Sequence, residues 1–115
     1  MTDIRNRQTP VKQPPHLTLV PSGRPADAAE DGVLQSIEIG PLDLELGGHL
    51  ADVTMAYRTW GTLNAAGTNA VIVLHALTGD SKAAGEGGWW DPLIGPGKAI
   101  DTGAHFVVCA NLLGG

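Results

Sequence analysis

The stretch Asn69-Ala-Val-Ile-Val-Leu-His-Ala-Leu-Thr-Gly-Asp80 joins an apolar run to a short, more polar loop. An apolar run of this kind reads as a buried strand, and open α/β sheets take their ligands at the carboxyl ends of strands. The loop His75-Ala76-Leu77-Thr78-Gly79 therefore stands where a sheet protein would place its chemistry. Its one titratable side chain, His75, is either a proton acceptor or a residue that shapes the loop through side-chain hydrogen bonds. Arg58 and Asp80 could orient loops by ion pairing or touch a substrate, and Asp91 and Asp101 could cap short helical turns. Trp89 and Trp90 lie in a glycine-rich connection, where indole rings anchor a loop to the core or line a substrate path.

Other chemistries find less support. His16, His49, His75 and His105 show no spacing that suggests a metal site. The three serines, Ser22, Ser36 and Ser81, lack the Gly-x-Ser-x-Gly pattern that presents a nucleophile on a strained strand-to-helix turn. Cys109 falls inside an apolar run, where a thiol behaves as a small hydrophobe, and as a single cysteine it forms no intrachain disulfide. Residues 79–88 lack the Gly-x-Gly-x-x-Gly of dinucleotide folds. Gly97-Lys98 fails the phosphate-loop pattern because Pro92 replaces its first glycine and Ala99 its Ser/Thr.

The elements that must position the loop follow from hydrophobic period. Ile37 and Ile39 alternate with Ser36 and Glu38, and Leu42, Leu44 and Leu46 alternate with Asp43 and Glu45, a two-residue period that marks half-buried strands. Gly47-Gly48 supplies the positive φ angles of a two-residue hairpin turn. The return strand carries Val53, Met55 and Tyr57 on one face and Thr54, Ala56 and Arg58 on the other, and closes at Gly61 and Asn64. Val71–Leu74 and Phe106–Ala110 are continuously apolar, as central strands of a parallel sheet are. Such strands need helical cover, yet seven glycines lie between Leu77 and His105, and Pro92 and Pro96 interrupt the one stretch, Leu93 to Ile100, that could be helical. A sheet core without covering layers implies that the natural protein continues past Gly115.

The 115 residues are 43% hydrophobic and 17% charged, a globular composition, and 16 glycines and 8 prolines imply much loop. Five of those prolines fall among the first 25 residues, without hydrophobic period, so residues 1–33 read as a flexible N-terminal extension. The net charge is −5, and beyond residue 33 only Arg58, Lys82 and Lys98 are basic, which leaves no cluster to track a phosphate backbone. The polar N-terminus carries no signal peptide and no apolar run reaches the roughly 20 residues of a membrane span. With the lone cysteine, this points to the cytoplasm.

Four blocks carry a specific resemblance: Leu46–Asn64 (LGGHLADVTMAYRTWGTLN), His75–Asp80 (HALTGD), Gly88–Asp101 (GWWDPLIGPGKAID) and Phe106–Gly115 (FVVCANLLGG). In this order they resemble the homoserine O-acetyltransferase family and cover nearly all of residues 36–115. The resemblance implies an α/β-hydrolase fold, mostly parallel with antiparallel first strands, of which residues 34–115 form an incomplete N-terminal portion. It implies transfer of an acetyl group from acetyl-CoA to the hydroxyl of L-homoserine through a serine acyl-enzyme, in methionine biosynthesis, with acetyl-CoA as substrate and no separate cofactor or metal. The Ser, Asp and His of the triad are expected downstream, so this chain alone should be inactive. Leu77 is the residue implied to donate a backbone N–H to the oxyanion hole, and Thr78 and Trp90 are candidate pocket residues. His75 precedes the nucleophile whereas the fold's base comes last, which favours its structural role. A homodimer is implied for the full-length enzyme, with neither nucleic acid nor membrane as partner. A homoserine or serine O-succinyltransferase, an esterase of the same fold and a non-catalytic binding module are the alternatives.

Overall fold

The computed structural model describes residues 29–115; residues 1–28, most of the proline-rich extension, lie outside the described residues. Its strands are β1 (Gln35–Asp43), β2 (His49–Trp60), β3 (Ala70–Val73), β4 (Ile94–Gly95), β5 (Ile100–Asp101) and β6 (Phe106–Ala110). The first three and the last form one mixed sheet in the order β1-β2-β6-β3. β1 and β6 both run antiparallel to β2, and β3 runs parallel to β6.

The β1–β2 hairpin departs from the expected two-residue turn. Asp43 pairs with His49, and five residues bridge them, closed by Leu44 N–H to Gly48 O and Gly47 N–H to Leu44 O, each at 3.0 Å. Gly47 and Gly48 do take positive φ, 95° and 110°, but as part of this wider loop. Leu44 and Leu46 are consequently outside the strand, and Leu46 is 99% exposed. The ladder also shifts register on either side of Gly40, where Gly40 has φ 85° and Pro41 has no N–H to donate.

On β2 the alternation expected from the sequence fades toward the C-terminal end, where Thr59 and Trp60 are both buried. The cause is that Tyr57–Trp60 is the segment paired to β6, where Trp60 joins the core cluster beside Val107 and Thr59 O accepts the Gly32 N–H from the chain before β1. Asp31 and Gly32, at the end of the predicted extension, are bonded to this strand's end: Gly32 N–H donates to Thr59 O at 2.8 Å and Gly61 N–H to the Asp31 carboxylate at 2.9 Å.

Parallel pairing of β3 and β6 agrees with the apolar runs, but β3 is an edge strand of the described sheet rather than a central one. Val73, Val107 and Cys109 point to one face and pack with Trp60, Ala83, Ala84 and Ile94. On the other face Ile72 and Leu74 are 74% and 78% exposed. No helix occurs among the described residues. The Leu93–Ile100 stretch instead forms β4, a turn and β5, with Ile94 paired to Ile100 in a two-stranded parallel sheet. The crossover therefore covers the core with extended chain and turns, as its glycines and prolines dictate.

Candidate functional site

At the end of β3 the chain leaves the sheet and makes a β-turn over Ala76–Gly79, closed by Gly79 N–H to Ala76 O at 2.8 Å. Leu77 and Thr78 are its two central residues. Among the described residues the Leu77 N–H has no hydrogen-bond acceptor, and the Leu77 side chain is 88% exposed. The turn is held from below by His75, which is buried. His75 Nδ1 lies 2.6 Å from Ala76 O, and the Leu112 N–H donates to His75 Nε2 at 3.1 Å.

A second bond ties the same two strand ends together. Ser81 N–H donates to Asn111 Oδ1 at 2.7 Å, while Asn111 N–H continues the ladder to Ala56 O at 2.8 Å. Asp80 lies between these ties. Its carbonyl accepts from Trp89 Nε1 at 2.9 Å, and its carboxylate accepts the Lys82 N–H at 2.8 Å. Trp89 and Trp90 are tilted against each other at 5.4 Å between centroids, and Trp90 N–H donates to Ala83 O. The result is an open cleft of about 770 Å³ lined by Leu74, His75, Thr78, Asp80, Trp89 and Trp90 among others.

Of the residues singled out in the sequence, Thr78 and Trp90 thus line the cleft, and Leu77 sits on its turn without presenting its side chain to it. Arg58 and Asp80 do not form an ion pair: Arg58 Nη1 donates to Gly32 O at 2.5 Å, on the far side of β2, and Asp80 serves its own loop. Asp91 and Asp101 cap no helical turns. They brace glycine loops instead, Asp91 accepting from Gly85 N–H and Asp101 from both Gly97 and Gly103 N–H. Those two N–H groups hold the Asp101 carboxyl below the ordinary carboxylate value. Burial pushes the Cys109 thiol up, with the charge of Asp80 adding to the effect.

Neither described serine is hydrogen-bonded to a histidine, and Ser81 is buried at 2% exposure. Among the described residues no group of three or more His, Cys, Asp or Glu could hold a metal ion. Asn111 and Leu112 are the site-forming residues that sequence reasoning missed. The signal was an amide side chain directly after a buried strand, which lies next to the neighbouring strand's loop whenever the two strands are parallel neighbours.

The sheet with its loop at the end of β3 is that of an α/β-hydrolase fold. Solved structures agree: the chain matches the crystal structure of a homoserine O-acetyltransferase from Bacillus anthracis with TM-score 0.65 and 38% identity, covering 72% of this chain and 24% of that one. It matches the esterase E22 with TM-score 0.64 and 32% identity, covering 69% and 23%. In sequence the chain is a homologue of homoserine O-acetyltransferases, 56% identical over 80 residues to that of Moorella thermoacetica. That match covers 64% of this chain, and the chain spans about a fifth (21%) of the relative's length. No protein-family model matches.

Proposed function

We propose that these residues belong to an acyltransferase that moves an acetyl group from acetyl-CoA to the hydroxyl of L-homoserine, a step of methionine biosynthesis. The observation that carries this reading is the 56% identity over 80 residues to a homoserine O-acetyltransferase, in a chain that forms an open cleft beside the turn after β3. In this reading residues 34–115 are the first part of an α/β-hydrolase domain. The Leu77 N–H, free of an acceptor among the described residues, is one donor to the oxyanion of the tetrahedral intermediate, and Thr78 and Trp90 border the substrate. A serine nucleophile, with its His and Asp, comes from residues outside this chain, so the 115 residues alone bind at most weakly and do not turn over. In this reading the working enzyme is a cytoplasmic homodimer that needs no metal. Among the described residues no helix is long and apolar enough to cross a membrane.

An esterase is the second reading, favoured by the 32% identity to esterase E22. Expressing the whole open reading frame and following thiol release from acetyl-CoA separates the two. Thiol release that depends on L-homoserine, and that exceeds release with succinyl-CoA or with L-serine, is the expected result. Hydrolysis of simple acetyl esters with no transfer to homoserine would replace the acyltransferase reading with the esterase one.

A further inference from the structure

We infer that His75 is a positioning residue, a neutral imidazole that ties the Ala76–Gly79 turn to the loop after β6 and so sets where the Leu77 N–H lies. The inference rests on the proposed reading for its catalytic consequence, but the tie itself stands on geometry. A main-chain N–H can only donate, so the 3.1 Å contact from Leu112 requires an unprotonated Nε2 on His75. The proton of the neutral ring is then on Nδ1, and it points at the Ala76 carbonyl 2.6 Å away. One tautomer satisfies both contacts. An imidazolium would set N–H against N–H at Leu112.

The two partners give the tie its leverage. Ala76 O also accepts the Gly79 N–H that closes the turn, so the imidazole grips the carbonyl that defines the turn's first corner, one residue before Leu77. Leu112 lies 37 residues away in sequence, just past β6, which is itself paired to both β2 and β3. His75 is 8% exposed, and its Cβ lies against Gly79, where a Cβ would come within 3.2 Å of it. A buried ring bonded at both nitrogens has no free position at which to exchange a proton with a substrate, so it orients rather than reacts.

The test uses the enzyme encoded by the whole open reading frame, with p-nitrophenyl acetate as a probe that needs an oxyanion donor but no homoserine. Displacing such a donor by about 1 Å costs roughly 10²-fold in rate, so His75→Ala should lower kcat to that extent with KM little changed. His75→Asn retains a donor near the Nδ1 position and His75→Gln an acceptor near the Nε2 position, and each should recover part of the loss. Nitrogen NMR of the wild-type imidazole should show a protonated Nδ1 and a bare Nε2, with a coupling from the Leu112 amide. If His75→Ala fails to fold, the Asn and Gln variants and the NMR spectrum carry the test. A His75→Ala enzyme with lowered melting temperature but wild-type kcat would overturn the positioning role, and the opposite tautomer would overturn the tie. Wild-type enzyme inactive on both the ester and acetyl-CoA would instead overturn the acyltransferase reading, leaving the imidazole spectrum to decide the tie.

Discussion

The main-chain N–H of Ser81 donates to the side-chain carbonyl of Asn111 at 2.7 Å, across 30 residues of sequence and between the loops that leave two parallel strands. Ser81 is 2% exposed, so this N–H has no access to water. Asn111→Ala therefore strands a buried donor, at a cost of roughly 1–3 kcal/mol. Chemical unfolding of the full-length protein should show that loss, and Asn111→Asp, which keeps an acceptor oxygen, should recover much of it. Equal stability of Asn111→Ala and wild type would show that the bond contributes nothing net.

Leu77 acts in the proposed mechanism only through its backbone. Leu77→Ala should keep most of the rate, since its side chain is 88% exposed, whereas Leu77→Pro removes the donor. Loss of one such donor lowers kcat by about 10²–10³. The comparison is informative when the proline variant keeps its melting temperature and still binds homoserine. Near wild-type turnover by that variant would place the oxyanion donor elsewhere.

Gly61 ends β2 at φ 80°, and a Cβ there would lie 2.2 Å from His105 O and 2.6 Å from Thr102 O. Both obstacles are backbone, so neither can rotate away. Gly61→Ala should destabilise by at least about 1–3 kcal/mol, the scale of local backbone strain. A differential scan showing an unchanged melting temperature would contradict this packing of β2 against the entry to β6.

Asp101 supplies the acid-pH prediction. The N–H groups of Gly97 and Gly103 stabilise its ionised form, so its folded pKa lies below the ordinary 3.8. A depressed carboxylate contributes stability above its unfolded pKa and loses it as pH falls through the folded value. The Gly97 and Gly103 amide resonances should titrate together with a midpoint below 3.8, and Asp101→Asn should abolish that titration. A midpoint at or above 3.8 would sink the assignment.

Ile72 and Leu74 leave an apolar strip exposed beside the outer edge of β3, which no strand among the described residues pairs. The 115-residue chain produced alone should associate or bind hydrophobic dyes. A monomer with a sharp cooperative melt and no dye binding would favour a free-standing binding module.

Local sequence determined the elements whose cause is local. A two-residue hydrophobic period located β1 and β2, unbroken apolar runs located β3 and β6, and glycines and prolines excluded helix from the crossover, because each depends on near neighbours along the chain. Hairpin geometry was less legible: Leu44 and Leu46 continue the period past the strand's end, and only the closing bonds Leu44 to Gly48 and Gly47 to Leu44 place them in the loop. Parallel pairing was anticipated for β3, but its edge position was not, since strand order depends on which segments are present to pair. Asp80 and Arg58 show the same limit. Opposite charge suggested a pair, but the fold places Arg58 on β2 and Asp80 on the loop after β3, each with a nearer backbone partner.

The candidate loop His75–Gly79 was visible in the sequence as the polar end of a buried strand, but the order β2-β6-β3 was not, and that order is what brings residues 111 and 112 beside residues 75 and 81. Contacts across 30 and 37 residues leave no local pattern, because the free energy of each depends on a partner that only strand pairing delivers.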